Sequence, residues 1–376
     1  MLIPEQAKTA FVLYYTLGTD TKELSYRFTT DQKTWLAGEK YVYRINVSTQ
    51  EITVDPSVTE WGVPFKNYTI SAVSKAYTPS RGTASVEYTD VNKATIKAEA
   101  VAGFEFYRWL NVDGSGNILG ISTENPHQVV AAGDSAYIAQ FIPDEGVIAA
   151  AFSVSATEQV VFTNGNLKWD GSAFSTESSQ TTYPKSWDAS HVGHFFYSKD
   201  AEKAYAATYS DGGISTSDVF FTNDSSDQTK PNSSFTCNGM TGVFRTLTGG
   251  DSGEFKYLID TRTVKGETGF GNTCQWVSVS GTNGLIIYPD NYSGTLFTNG
   301  QAITIPEDCV FLPAAGARIG SSIGTTAGSY GYYWFASPNE SIADFAYFLT
   351  FYRIYVYPDG YDGRHGGNSV RLVSEL

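Results

Sequence analysis

The side chains able to do chemistry are few and scattered along the 376 residues. Four histidines stand at His127, His191, His194 and His365, and three cysteines at Cys237, Cys274 and Cys309. His191 and His194 lie three apart in SHVGHFF, but zinc takes further ligands and no nearby pattern supplies them. The cysteine spacing fits no zinc motif, and no cationic neighbour that would activate a thiol is evident. The three read best as small buried thiols, with one disulfide plus an odd thiol as the alternative. No Gly-x-Ser-x-Gly elbow for a Ser-His-Asp hydrolase is expected. Paired glycosidase carboxylates leave no motif and stay open.

What remains is a set of late segments that mix tyrosine with charge and glycine. They hold Asp290, Asn291 and Tyr292, then Tyr330 and Tyr332, then Tyr357, Asp359, Tyr361, Asp362, Arg364 and His365 in YPDGYDGRHGGN. Read as loops, they offer phenol faces for stacking on ligand CH groups, with polar neighbours to fix orientation. The bland alternative is a solvated connector held by Gly and Asp turns. The chemistry expected is binding: no catalytic residues, no resident metal and no cofactor.

Composition supports that direction. Charged residues make up 17% of the chain, below the ~25% of an ordinary soluble domain, while 25 tyrosines supply polarity together with Ser, Thr, Asn and Gly. The net charge of −14 and the lack of a basic patch argue against nucleic acid as a partner. No apolar run is long enough to span a membrane, and MLIPEQAKTA lacks the marks of a signal peptide. Membrane association would therefore need an anchor ahead of Met1; either the protein is cytoplasmic or the sequence is a fragment that has lost its export signal, and the resemblances given below imply the fragment.

Three blocks position these residues. In residues 8–56 apolar side chains alternate (Phe11, Leu13, Tyr15, Leu17; Leu24, Tyr26, Phe28; Tyr41, Tyr43, Ile45, Val47; Ile52, Val54), the mark of half-buried strands. KTWLAGEK (33–40) breaks them, and GVPFKNY (62–68) reads as a linker. The second block, 69–143, centres on GFEFYRWL (103–110), with Phe104, Phe106 and Trp109 as core aromatics after a special backbone angle at Gly103. TENP (123–126) turns the chain and AYIAQF (136–141) closes the block. DEGVIAAA (144–151) reads as a connector. The last block, 152–376, is loop-rich α+β. Its one clear helix is capped by Asp251 with Glu254 three residues on, and carries Phe255, Leu258, Ile259 and Arg262 at helical spacing. A second helical turn is expected near Asp200–Tyr205. The expected fold is multidomain and mostly β.

Each block also carries a family resemblance. LIPEQ (2–6), TWLAGEKYVYRINVS (34–48) and EITVDPSVTEW (51–61), in that order, resemble the C-terminal part of Bacteroidales fimbrillin-like proteins. The resemblance implies that 1–62 is the back of a β-sandwich and that other fimbrial subunits bind by β-strand addition. The Gly-aromatic-x-Phe-x-x-Trp signature at 103–109 resembles the bacterial surface repeat related to the internalin B-repeat. It implies a β-grasp-like spacer over 69–143.

The last block resembles the Fibrobacter succinogenes major paralogous domain family. The match runs through FSVSA…GNL (152–167), FRTLT (244–248), EFKYLIDTR (254–262), NGLIIYPD (283–290), FLPAAGAR (311–318), GYYWFAS (331–337) and SVRLV (369–373). Phe244 and Phe255 stand where that family usually has Trp, and Phe335 where it has Ser. The resemblance implies a C-type-lectin-like domain over 152–376, distantly akin to formylglycine-generating enzymes, with a recognition surface in its late loops. The paired reactive cysteines of those enzymes have no counterpart here. Calcium binding of the lectin type would need Glu-Pro-Asn or Gln-Pro-Asp and Trp-Asn-Asp. Only Pro289-Asp290-Asn291 and Pro338-Asn339-Glu340 come near, so calcium is a minor alternative.

Together these imply an extracellular, outer-membrane-associated fimbrial accessory or tip adhesin whose target is a glycan or a host or microbial surface protein. Two other classes stay open: a hydrolase or oxidase on the lectin-like scaffold, and a structural surface protein without a specific ligand.

Overall fold

The computed structural model describes residues 10–17, 20–27, 39–47, 52–60, 68–90, 92–184, 223–224, 226–319, 322–323, 326–342, 345–363 and 366–376. LIPEQ, most of the KTWLAGEK break, most of the 62–68 linker and the Asp200–Tyr205 turn lie outside the described residues. So do His191, His194, Arg364 and His365. The chain is multidomain and mostly β, with several distinct sheets. It divides into two compact units, Met1–Tyr68 and Thr69–Leu376.

In the first unit the period-two segments become two antiparallel hairpins. Ala10–Leu17 pairs with Asp20–Arg27, and Glu39–Val47 pairs with Ile52–Glu60. The β-branched and aromatic residues at alternate positions favour this extended backbone.

The second unit opens on two sheets. One has four strands in the order Ile70–Ser74, Ser135–Pro143, Phe104–Val112, Ile118–Ser122; the other sets Lys93–Ala100 between His127–Val130 and Gly82–Asp90. Gly103 has φ +86°, the left-handed angle that glycine adopts without steric cost. Trp109 is fully buried, with the Phe106 ring 5.4 Å from it; Phe104 and Phe106 are half-buried.

Within residues 144–151, expected as a connector, Ile148, Ala150 and Ala151 are buried while Asp144, Glu145 and Ala149 are exposed. Ile148 and Ala150 join the main core of the following region, and the Ile148 amide donates to the Phe162 carbonyl. The apolar run Val147-Ile148-Ala149-Ala150 lets the segment be buried as well as link. A cluster of Ile142, Ala151, Val161 and Leu376 joins the regions on either side, and Arg108 reaches from one to the other to bond Gln159 at 2.5 Å.

Beyond residue 152 the start and the end of this region share a sheet: Gln159–Phe162 and Phe244–Arg245 flank Val373–Glu375. A second sheet sets Cys274–Val279 beside Thr282–Ile287, edged by Gln301–Ile303 and Val310–Pro313. The core between them is rich in aromatics, among them Phe152, Phe162, Phe255, Trp276, Phe335 and Phe351.

The expected helix is short and differently capped. Glu254–Lys256 is α-helical and Tyr257–Thr261 continues as a π turn, with Gly253 rather than Asp251 at the N-cap. Both carboxylate oxygens of Glu254 accept hydrogen bonds at 2.7 Å from buried Arg245. Thr248 and Glu254 bond reciprocally: the Thr248 hydroxyl accepts from the Glu254 amide, and the Thr248 amide donates to the Glu254 carboxylate.

Candidate ligand-binding face

Three strands, Tyr330–Pro338, Phe345–Tyr352 and Tyr355–Gly363, form an antiparallel meander. YPDGYDG, expected as the start of a loop, is thus strand through Gly363. Alternation sorts the side chains between the two faces. Tyr333, Leu349, Phe351 and Val356 point into the main core. Gly331 belongs to that face, where a Cβ would come within 2.0 Å of the Phe351 ring; only a bare Cα lets Phe351 lie across the sheet.

The opposite face carries Tyr330, Tyr332, Thr350, Tyr352, Tyr355 and Tyr357. Tyr330 pairs with Tyr352, Tyr332 with Thr350, and the two-residue turn Arg353-Ile354 sets Tyr352 opposite Tyr355. The rings make a continuous row. Tyr332 stacks on Tyr330 at 6.2 Å, Tyr330 is 5.1 Å from Tyr352, Tyr352 is 6.2 Å from Tyr355, and Tyr355 stacks on Tyr357 at 5.9 Å. Tyr355 and Tyr357 are exposed, and the other three are half-buried. At the inner end Tyr332 packs on a second core cluster with Trp334 and Phe348. Burial, helped by Tyr330 and the Asp362 charge, raises the Tyr332 phenol above its ordinary range.

A bulge divides the sequence-derived site residues. Thr350 pairs with Tyr357 but Phe348 with Gly360, so the third strand holds one extra residue around Pro358 and Asp359. Proline, with no N–H to donate, suits this break in the ladder. Beyond it the side-chain parity inverts. Tyr361 turns to the core side, its ring 6.2 Å from Tyr347 and 6.1 Å from Phe345. Asp359 bonds the Lys256 ammonium, which holds that lysine's proton above the ordinary range. Asp362 is exposed. Tyr330, Tyr332 and Tyr357 therefore come together, while Asp359 and Tyr361 belong to the reverse side.

Asp290 sits elsewhere. Its carboxylate accepts from the Ser153 amide and hydroxyl, from the Gln159 side chain at 2.6 Å and from Arg262 at 3.0 Å. These internal donors use most of its lone pairs, so Asp290 ties the start of the final region to Arg262; Asn291, beside it, is exposed. Asn339, in the other calcium-like tripeptide, accepts from the amides of Ser341 and Ile342 and shapes its own turn. Among the described residues no group of three or more His, Cys, Asp or Glu converges on a point.

The row also contains Tyr352 and Tyr355, which sequence reasoning missed. The signal was there: Tyr355 and Tyr357 alternate around Val356, as a half-buried strand should. Arg353, in the turn between Tyr352 and Tyr355, lines a cleft of about 310 Å³ together with Trp276, Asn283, Gly300, Gly328 and Ser329.

Cys237, Cys274 and Cys309 are buried and unpaired. Burial pushes Cys237 and Cys274 up to about 12, and Cys309 is raised by burial and by neighbouring Asp308. Such thiols stay protonated at neutral pH, unlike an activated nucleophile. Against the expectation above, the chain does contain Gly-x-Ser-x-Gly spacing, at GSSIG (320–324). Ser322 there lies on a two-residue strand paired antiparallel with Arg318–Ile319, whereas a nucleophile elbow joins a strand to a helix.

Compared with protein-family models, curated proteins and solved structures, the chain gives no match.

Proposed function

We propose that this chain is a binding protein of a bacterial cell surface, an accessory or tip adhesin of a fimbria, and that the meander's tyrosine face engages its target. The observation that carries this reading is the row of five phenol rings on the solvent side of one rigid sheet. Tyrosine supplies large contact area at little cost in side-chain entropy, and its hydroxyl bonds polar ligands. Strands hold such groups more firmly than loops do. The target is a glycan or a protein of another cell's surface.

The test is a glycan and surface-protein array probed with the whole chain and with a Tyr355→Ala/Tyr357→Ala variant. The expected result is a reproducible ligand lost in the variant. Binding that survives both substitutions would move the site elsewhere, and a blank array would favour a purely structural role. The fimbrial part rests on the resemblance of residues 1–62. Its check is whether the protein co-purifies with native pili; absence from them would remove that part alone.

A further inference from the structure

The cleft beside the tyrosine row has its own chemistry. Arg353 stands at the tip of the hairpin, exposed, between Tyr352 and the equally exposed Ile354. Its guanidinium lies over Gly300, where a Cβ would come 3.4 Å from Nη2. Among the described residues it has no carboxylate partner, although Arg245 and Arg262 are each paired with an acid and acids outnumber bases in the chain. Asn283, whose amide nitrogen donates to the Gly328 carbonyl at 3.0 Å, and Ser329 line the same cleft, and Trp276 forms part of its wall. At about 310 Å³ the space is at the small end of ligand sites.

Resting on the binding role proposed above, we infer that this cleft takes the carboxylate of an acidic sugar, with the saccharide continuing along the tyrosine row. An unpaired guanidinium presents a planar fork that fits a carboxylate through two parallel hydrogen bonds. Tyr330 follows Ser329 of the cleft directly, and its ring is 5.1 Å from that of Tyr352, which precedes Arg353. The residues of the cleft and of the row are thus consecutive in sequence at two places, Ser329-Tyr330 and Tyr352-Arg353. Phenol rings in a row suit the flat CH faces of linked sugar rings. A peptide would instead need separate pockets for its side chains.

The test compares trigalacturonic acid with its methyl ester, which keeps every ring and hydroxyl and removes the charge. Calorimetry with the whole chain should show the free acid bound at least tenfold tighter than the ester. Arg353→Gln, at an exposed turn that leaves packing intact, should bring the two within twofold at an unchanged melting temperature. Equal binding of acid and ester, failure to bind either, or a preference that survives Arg353→Gln would overturn the assignment. Equal competition by triglutamate would overturn it in favour of an acidic peptide. The tyrosine face is judged separately: if Tyr355→Ala/Tyr357→Ala leaves the array ligand bound, that reading fails whatever Arg353 does.

Discussion

Tyr330 and Tyr352 face one another across the first two strands of the meander with their ring centres 5.1 Å apart. This cross-strand pair joins the first strand's half-buried rings to the hairpin that carries the exposed outer ones. Aromatic pairs at this distance stabilise each other by about 0.5–1.5 kcal/mol beyond the area they bury, so the row is preorganised before any ligand arrives.

Removing the two outer rings should therefore weaken binding without unfolding the protein. Tyr355→Ala/Tyr357→Ala is expected to cost about 1–3 kcal/mol, roughly 5- to 150-fold in Kd. Tyr→Phe at both positions should retain the larger part if stacking dominates. Titration of the array-identified ligand against both variants, with thermal melting as the control, checks this.

The underside of the same sheet depends on a missing side chain. Gly331→Ala would drive a methyl into the Phe351 ring, 2.0 Å away, in a fully buried layer. Overpacking of this kind costs about 1–3 kcal/mol. The unfolding free energy from a urea titration should fall by that amount, and Gly331→Ala/Phe351→Leu should recover part of it.

Arg245 and Glu254 form a bidentate pair that is almost wholly shielded from water. Removing one partner strands the other. Glu254→Gln is expected to destabilise by about 3–5 kcal/mol, while Arg245→Met/Glu254→Leu should be milder than either single change. A double-mutant cycle in urea gives the comparison.

The buried thiols set an alkaline limit. Cys237 and Cys274 hold their protons to about pH 12 when folded, against an ordinary value of 9.0, because burial disfavours the thiolate. The folded state thus binds these protons more tightly than the unfolded chain. The stability they contribute is complete below about pH 9 and is lost as pH rises toward 12. Arg371, lowered by burial to about 10, acts in the opposite sense above pH 10. Between pH 9 and 10 the melting temperature should therefore decline, and Cys274→Ala should flatten the slope. At pH 8 none of the three thiols should react with a disulfide reagent until the protein is unfolded.

Much of the framework was legible in the sequence. The alternation around Phe11–Leu17 and Tyr41–Val47 marked strands, and the Gly103–Trp109 signature marked a buried aromatic centre. These signals are local, so a short window contains them. The role of Asp290 was not legible, because its partners Ser153 and Gln159 lie 137 and 131 residues away. Glu254 looked like a capping residue by spacing, yet its carboxylate is held by Arg245, nine residues earlier on a short strand, a pairing that helical periodicity does not reveal. The third meander strand was misread as loop because one inserted residue near Pro358 breaks its period of two. Tyr355 and Tyr357 were thereby cut off from the partners that give them meaning.

That inserted residue gives the surface an unusual way to change. Deleting one position at Pro358 or Asp359 would rotate everything after it by half a turn, bringing Tyr361 out to the ligand side and sending Asp362 inward, while the interior beneath Tyr355–Tyr357 stayed as it is. A lineage could in this way exchange an acidic margin for an aromatic one through a single codon loss. Changes in length near Pro358, more than changes in residue type, are where relatives with different tastes should be sought.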